Sequence, residues 1–218
     1  MKKHFPPVHK RKLLIIIIVI SMLIIAATAV ILFFTIPRKS PNTVINSSAV
    51  VPYLKDGDII LRHGDGALSS PFSGISLTDN RFSHLGIVRI RDGNITVINS
   101  VGSILNKDKG VEENSLEQFL KAAMNIGIFR AKFIDGTLIS DKALEYLDRP
   151  FDWGFNLYDD SKIYCSELLY VVLKSIAPEV ELAVLYIDTI NMNVFPLDSV
   201  SASDYFDEIL YIELPKKP

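Results

Sequence analysis

The 218-residue chain has a single cysteine, so no intramolecular disulfide can brace it. It has one tryptophan and four histidines, and two of the histidines, His4 and His9, fall in the first ten residues. His63 and His84 alone make a poor metal site, and no Cys/His cluster has zinc-ligand spacing. No metal and no cofactor is therefore expected. Positive charge is not in excess either: 23 basic residues stand against 25 acidic ones, a net charge of -2. That balance argues against nucleic acid as a partner. No internal repeat and no long low-complexity tract stands out.

Apolar residues are plentiful, at 49%, with a mean hydropathy of +0.27. The excess is concentrated near the start. Leu13 to Ile36 reads LLIIIIVISMLIIAATAVILFFTI without a charge. At about 1.5 Å per residue, a helix of that length spans a hydrocarbon core of roughly 30 Å. Lys2, Lys3, Lys10, Arg11 and Lys12 precede it, and only Arg38 and Lys39 follow closely. The charge bias predicts a cytoplasmic N-terminus and an extracytoplasmic remainder. A cleaved signal peptide is the rival, because Ala27-Thr28-Ala29 resembles a cleavage site. The apolar run continues through Phe34, longer than a signal core needs, which favours a retained anchor. The expected organisation is a basic tail over 1–12, a transmembrane anchor over 13–36, a Pro/Ser/Asn/Thr-rich linker over 37–49 and a folded domain over 50–218.

Within that domain, Asp58 to Leu61 is a short apolar strand candidate, and His63 to Ser83 reads as a long surface loop. His84 to Ile90 and Ile95 to Val101 flank Arg91-Asp92-Gly93-Asn94, a strong hairpin signal. Ser115 is placed to cap a helix presenting Leu116, Phe119, Leu120 and Ala123. Ile126 to Phe133 is a further strand, and Ser140 a candidate cap for a helix running to Leu147. Tyr164 to Ile176 reads as a buried helix ended before Pro178, and Leu182 to Ile187 and Ile209 to Ile212 as late strands. Helices beside an antiparallel hairpin make the class α+β.

In the Tyr164–Ile176 helix, Cys165, Leu168, Leu169, Val172, Leu173 and Ile176 share one face. The thiol also lies in the first turn, where unpaired N–H groups and the helix dipole favour a thiolate and an oxyanion. A buried structural cysteine is the bland alternative. A thiolate nucleophile needs a base, and His84 opens a strand just after the long loop. A third group should orient the imidazole. If Asp92-Gly93 form a two-residue turn, Arg91 pairs with Asn94, His84 faces Val101 and Asn99 faces Gly86. Asn99 then shares the face of His84, whereas Ser100 points the other way, and Gly86 leaves room beside them. A three-residue loop would exchange Asn99 and Ser100.

These residues resemble a known family. Lys55-Asp56-Gly57-Asp58-Ile59-Ile60 is similar to the opening strand of the permuted papain-like cysteine amidases, the YiiX-type branch of the NlpC superfamily. Phe82-Ser83-His84-Leu85-Gly86-Ile87 resembles their histidine motif, and Phe151 to Phe155 with Asp159 to Leu168, centred on Tyr164-Cys165-Ser166-Glu167-Leu168, their cysteine motif. The order, histidine before cysteine, is the permuted one. The resemblance implies a circularly permuted papain-like fold with the cysteine helix packed on an antiparallel sheet. It implies hydrolysis of an amide or ester through a thioester, with Cys165 as nucleophile and His84 as base. Many relatives carry Glu where this chain has Asn99, which still accepts the imidazole N–H but adds no charge. Cell-wall peptides suit the relatives and the location as substrates, with a lipid acyl group second. A thiol acyltransferase and a silent binding module of the same fold are the competing functions.

Overall fold

The computed structural model describes residues 19–28, 44–64, 75–103, 106, 109–121, 123–188 and 191–215. The chain divides into two compact units, Met1–Lys39 and Ser40–Pro218. In the first, residues 19–28 are helical, and the rest of the expected 13–36 anchor lies outside the described residues. Among the described residues no helix is long and apolar enough to cross a membrane.

The second unit is built on strands β1 (Ile59–Gly64), β2 (His84–Arg91), β3 (Asn94–Ser100), β4 (Val111–Ser115), β5 (Ala123–Ala131) and β8 (Phe206–Glu213). They form a six-stranded sheet in the order β4-β3-β2-β1-β5-β8, and every neighbouring pair is antiparallel. Strands β6 (Leu185–Ile187) and β7 (Met192–Val194) make a separate ribbon. The helices of this unit are α1 (Ser47–Val50), α2 (Leu116–Leu120), α3 (Gly136–Leu144), α4 (Cys165–Ile176) and α5 (Asp198–Ser201). This is an α+β architecture, as expected.

The β2–β3 hairpin shows why the register could be anticipated. Asp92 and Gly93 have φ of 52° and 77°, the left-handed pair that a two-residue type I′ turn requires. Arg91 therefore faces Asn94, and the pairing runs up to Ile87 opposite Ile98. Side chains alternate across the sheet. One set, including Leu85, Ile87 and Ile98, packs on Leu168, Leu169, Val172 and Leu173 of α4. The other, including Ile60, Val88 and Val97, packs on Leu116, Phe119 and Leu120 of α2. Full burial of one such side chain stabilises by about 1.5–3 kcal/mol relative to exposure.

Several boundaries move. Ile45 is buried with Val50, Ile60 and Val88, so packing reaches back into the stretch 37–49 expected above to be linker. Ser115 does cap α2, in a reciprocal box with Gln118, but Ala123 opens β5 instead of continuing the helix. Helix α3 begins at Gly136 under an Asp135 cap, not at Ser140. Ser140 lies inside the helix, buried, with its hydroxyl donating to Thr137 O.

Candidate active site

Cys165 is the first residue of α4, and only 7% of its surface is exposed. The turn that delivers it is tied down at several points. Tyr164 N–H donates to Glu167 Oε2 at 3.0 Å, which satisfies a donor the helix start would otherwise leave open. The Phe195 N–H donates to the Tyr164 hydroxyl at 2.9 Å, and Ser166 Oγ donates to Phe195 O at 2.6 Å. From the sheet, the Ser100 hydroxyl donates to Ile163 O.

On the other side of the site, His84 Nε2 lies 3.0 Å from Asn99 Oδ1. The Asn99 amide has no freedom to turn round. Its Nδ2 donates to Asn114 Oδ1 at 2.9 Å, with longer contacts at 3.4 Å to Val97 O and Glu112 O. With acceptors around Nδ2, Oδ1 must face the imidazole, so Nε2 carries the proton and Nδ1 is left as the basic nitrogen. The ring also stacks on Phe119, centroids 5.6 Å apart, and the Arg62 guanidinium lies 5.2 Å from the Phe119 centroid. Gly86 was expected to leave room here for a side chain or a substrate. Side chains take it: a Cβ on it would lie 2.3 Å from Val97 and 2.9 Å from Phe119, the ring that stacks on the histidine.

The two halves meet where β2 and β3 part. Val88 N–H points to Asp58 O on the β1 side. Alternation along the strand turns Leu85 N–H toward β3, beyond the last β2–β3 pair at Ile87 and Ile98. That N–H meets the Cys165 sulfur instead, together with the N–H groups of Ser166 and Cys165 itself. The thiol is thus brought against the residue next to His84, and the positive charge of Arg62 acts on both.

Burial sets the resting charge state. It pushes the Cys165 thiol up to about 11 against the N–H donors. It pushes the His84 imidazole down to about 3, aided by Arg62 and opposed by Asn99. The depressed thiol pKa suggested by the helix start is not what the closed site has, because desolvation outweighs the dipole here. At neutral pH the pair rests as thiol and imidazole. Glu167, wholly buried, is pushed up to about 8, chiefly by burial.

A narrow cleft lies beside the thiol, with Ile75, Phe155, Val194, Phe195 and Leu197 among its walls. One carboxylate fastens two of those walls together. Asp198 Oδ2 accepts the N–H groups of Leu77 and Thr78 at 2.6 Å each and of Asp79 at 3.4 Å.

The model of the family described as "permuted papain-like amidase enzyme, YaeF/YiiX, C92 family" matches residues 53–193. The chain belongs to this family. The C92 match contains His84, Asn99 and Cys165 and supports a function of the cysteine-hydrolase type. The fold is also similar to the crystal structure of the metalloprotein YiiX (DUF1105) from Escherichia coli O157:H7. The TM-score is 0.58 at 16% identity, covering 73% of this chain and 98% of that one. No curated protein matches the chain by sequence. Although that C92 relative is described as a metalloprotein, no group of three or more His, Cys, Asp or Glu side chains able to hold a metal occurs among the described residues.

The acidic residues Asp58 and Asp152 of the matching motifs have structural roles. Asp58 is buried against Arg130 at 2.7 Å and accepts from Lys55 N–H. Asp152 accepts from the N–H groups of Gly154 and Asn156. Trp153 is 45% exposed. Sequence reasoning missed Asn114, Arg62 and the Phe119 stack. Only Phe119 carried a signal, its place on the apolar face of α2.

Proposed function

We propose that the chain is a cysteine hydrolase with Cys165 as nucleophile, His84 as base and Asn99 as the residue that orients the imidazole. The carrying observation is the Asn114–Asn99–His84 hydrogen-bond chain beside the Leu85 N–H that contacts the sulfur. His84 Nδ1 takes the thiol proton as Sγ attacks the carbonyl carbon of an amide or ester. Neutral partners suit transfer during attack better than a standing ion pair. The Cys165 N–H receives the tetrahedral oxyanion. The protonated imidazole returns the proton to the departing amine or alcohol, leaving a thioester. Water, deprotonated by the same nitrogen, releases the acid and restores the thiol.

The uncharged run over 13–36 and the basic residues before it support a tethered enzyme, with its N-terminus cytoplasmic and its catalytic domain extracytoplasmic. An electrophilic activity probe tests the chemistry. Wild type is expected to label at Cys165 and Cys165→Ser to lose all labelling, whereas equal labelling of both removes the nucleophile. Protease added to cells with an opened envelope is expected to digest the domain. Protection there reverses the topology.

A further inference from the structure

Arg62 lies on β1 directly opposite His84 on β2, so the two side chains leave the sheet on the same face with their Cβ atoms about 5 Å apart. Both reach one aromatic ring. The imidazole stacks on Phe119, and the Arg62 guanidinium lies over that ring at 5.2 Å from its centroid. Such a seat holds a cation without cancelling its charge, because the ring offers a quadrupole and no counter-charge. Arg62 is half-buried, so salt screens it less than a charge in open water. Its field favours the thiolate of Cys165 and disfavours the imidazolium of His84. The ionisable groups around it do not supply the same field. His63, next on β1, is pulled below its ordinary range by burial and by the same cation. Glu112 on β4 pairs with Lys109, and Glu117 on α2 is exposed. At the start of α4, burial holds Tyr164 and Glu167 toward their neutral forms.

We propose that Arg62 is the fixed charge of this site, a cation set beside the base that favours negative charge on Cys165 Sγ and keeps His84 unprotonated until attack. The proposal rests on Cys165 and His84 being nucleophile and base, and adds a residue that acts on the pair through its field. A carboxylate behind the imidazole would stabilise the imidazolium and a standing ion pair. Here the group behind the ring is the neutral Asn99 amide and the charge on its flank is positive, which reverses that bias. As the thiol proton moves to His84 Nδ1 and Sγ bonds to the carbonyl carbon, the π electron pair ends on the carbonyl oxygen. The cation offsets the negative charge that builds during this step. The imidazolium formed beside a cation is a strong acid, so it gives its proton readily to the departing amine or alcohol.

Cys165 is the one cysteine of the chain, so alkylation of the full-length protein by uncharged iodoacetamide, followed by mass spectrometry, reads this thiol. The rate follows the thiolate fraction. At pH 8, Arg62→Gln and Arg62→Met are expected to react about tenfold slower than wild type, the low end of what a neighbouring charge does. Arg62→Met keeps an apolar stem in place, which separates charge from packing. Arg62→Lys keeps a cation over the ring and is expected within about twofold of wild type. A merely structural role gives the opposite sign, because a loosened site admits water, lowers the buried thiol and speeds alkylation. Rates for Arg62→Gln and Arg62→Met equal to or above wild type overturn the proposal, as does Arg62→Lys reacting as slowly as both. On a working acyl substrate, kcat/KM of Arg62→Gln is expected to fall at a higher pH than wild type on acidification, with Arg62→Lys restoring the wild-type limb. Coincident limbs for Arg62→Gln and wild type also overturn it. If the alkylation order holds while Cys165→Ser keeps its turnover, the hydrolase reading fails and the charge acting on Cys165 stands.

Discussion

The two sides of the site are built in opposite ways. His84 is held by polar side chains in series, Asn114 to Asn99 to the imidazole, on a strand whose register a tight turn has fixed. Cys165 is held by main chain and packing, with Tyr164, Ser166 and Ser100 each tied to a backbone group and the apolar face of α4 beneath. A base needs one tautomer and one orientation, which only directional side-chain bonds select. A nucleophile needs position and a dry surround, which a helix start wedged between loops can supply. Orientation should therefore fail by single side-chain changes on the histidine side, and position by loss of backbone ties on the cysteine side.

The largest effect is expected at Asn99. Asn99→Ala should lower turnover by roughly 100-fold, the low end of what a positioned base contributes, with little change in substrate affinity. Asn99→Asp should not be a harmless replacement, because it puts a carboxylate oxygen where Nδ2 now faces Asn114 Oδ1, Val97 O and Glu112 O. Steady-state kinetics of both variants on one acyl substrate decide this, and full activity in Asn99→Ala would erase the contrast between the two sides.

Next comes Ser100, which the strand register alone marks as indifferent. Its hydroxyl bonds to the buried Ile163 carbonyl, so Ser100→Ala should cost about 1–3 kcal/mol, the usual range for an orphaned buried acceptor. Denaturant unfolding measures it. A stability unchanged from wild type would mean that the cysteine turn holds itself.

A further effect concerns pH. Folded Glu167 keeps its proton up to about 8, while the unfolded chain releases it above about 4.5. The native state binds the extra proton, so this residue's contribution to stability falls as pH rises from about 4.5 to about 8. Glu167→Gln should flatten the melting-temperature profile across that window relative to wild type. Parallel profiles would show that Glu167 does not titrate in the folded protein.

What the sequence disclosed follows the same division. Asp92-Gly93 dictated the turn, the turn the register, and the register the meeting of Asn99 with His84, because each step is local and periodic. The apolar face of α4 was legible for the same reason. Asn114 was hidden because β4, Val-Glu-Glu-Asn-Ser, carries no apolar alternation to mark it as a strand. The start of α3 was misplaced because Asp135 is followed by Gly136 and Thr137, residues that read equally well as a turn. The cleft walls were invisible: Ile75 and Leu197 come together through Asp198, which bonds to residues about 120 positions earlier, and nothing in either stretch announces the other.

Asp198 reaches the amide hydrogens of residues 77–79 and makes only a longer contact, at 3.3 Å, to the Thr78 hydroxyl. A clasp on main chain is largely blind to side-chain identity. The wall of the cleft can change its residues, and with them what it admits, while the fastening stays as it is. Proline is the exception at 77 and 78, since it has no hydrogen to give. Selectivity and architecture are thereby inherited separately in this part of the molecule.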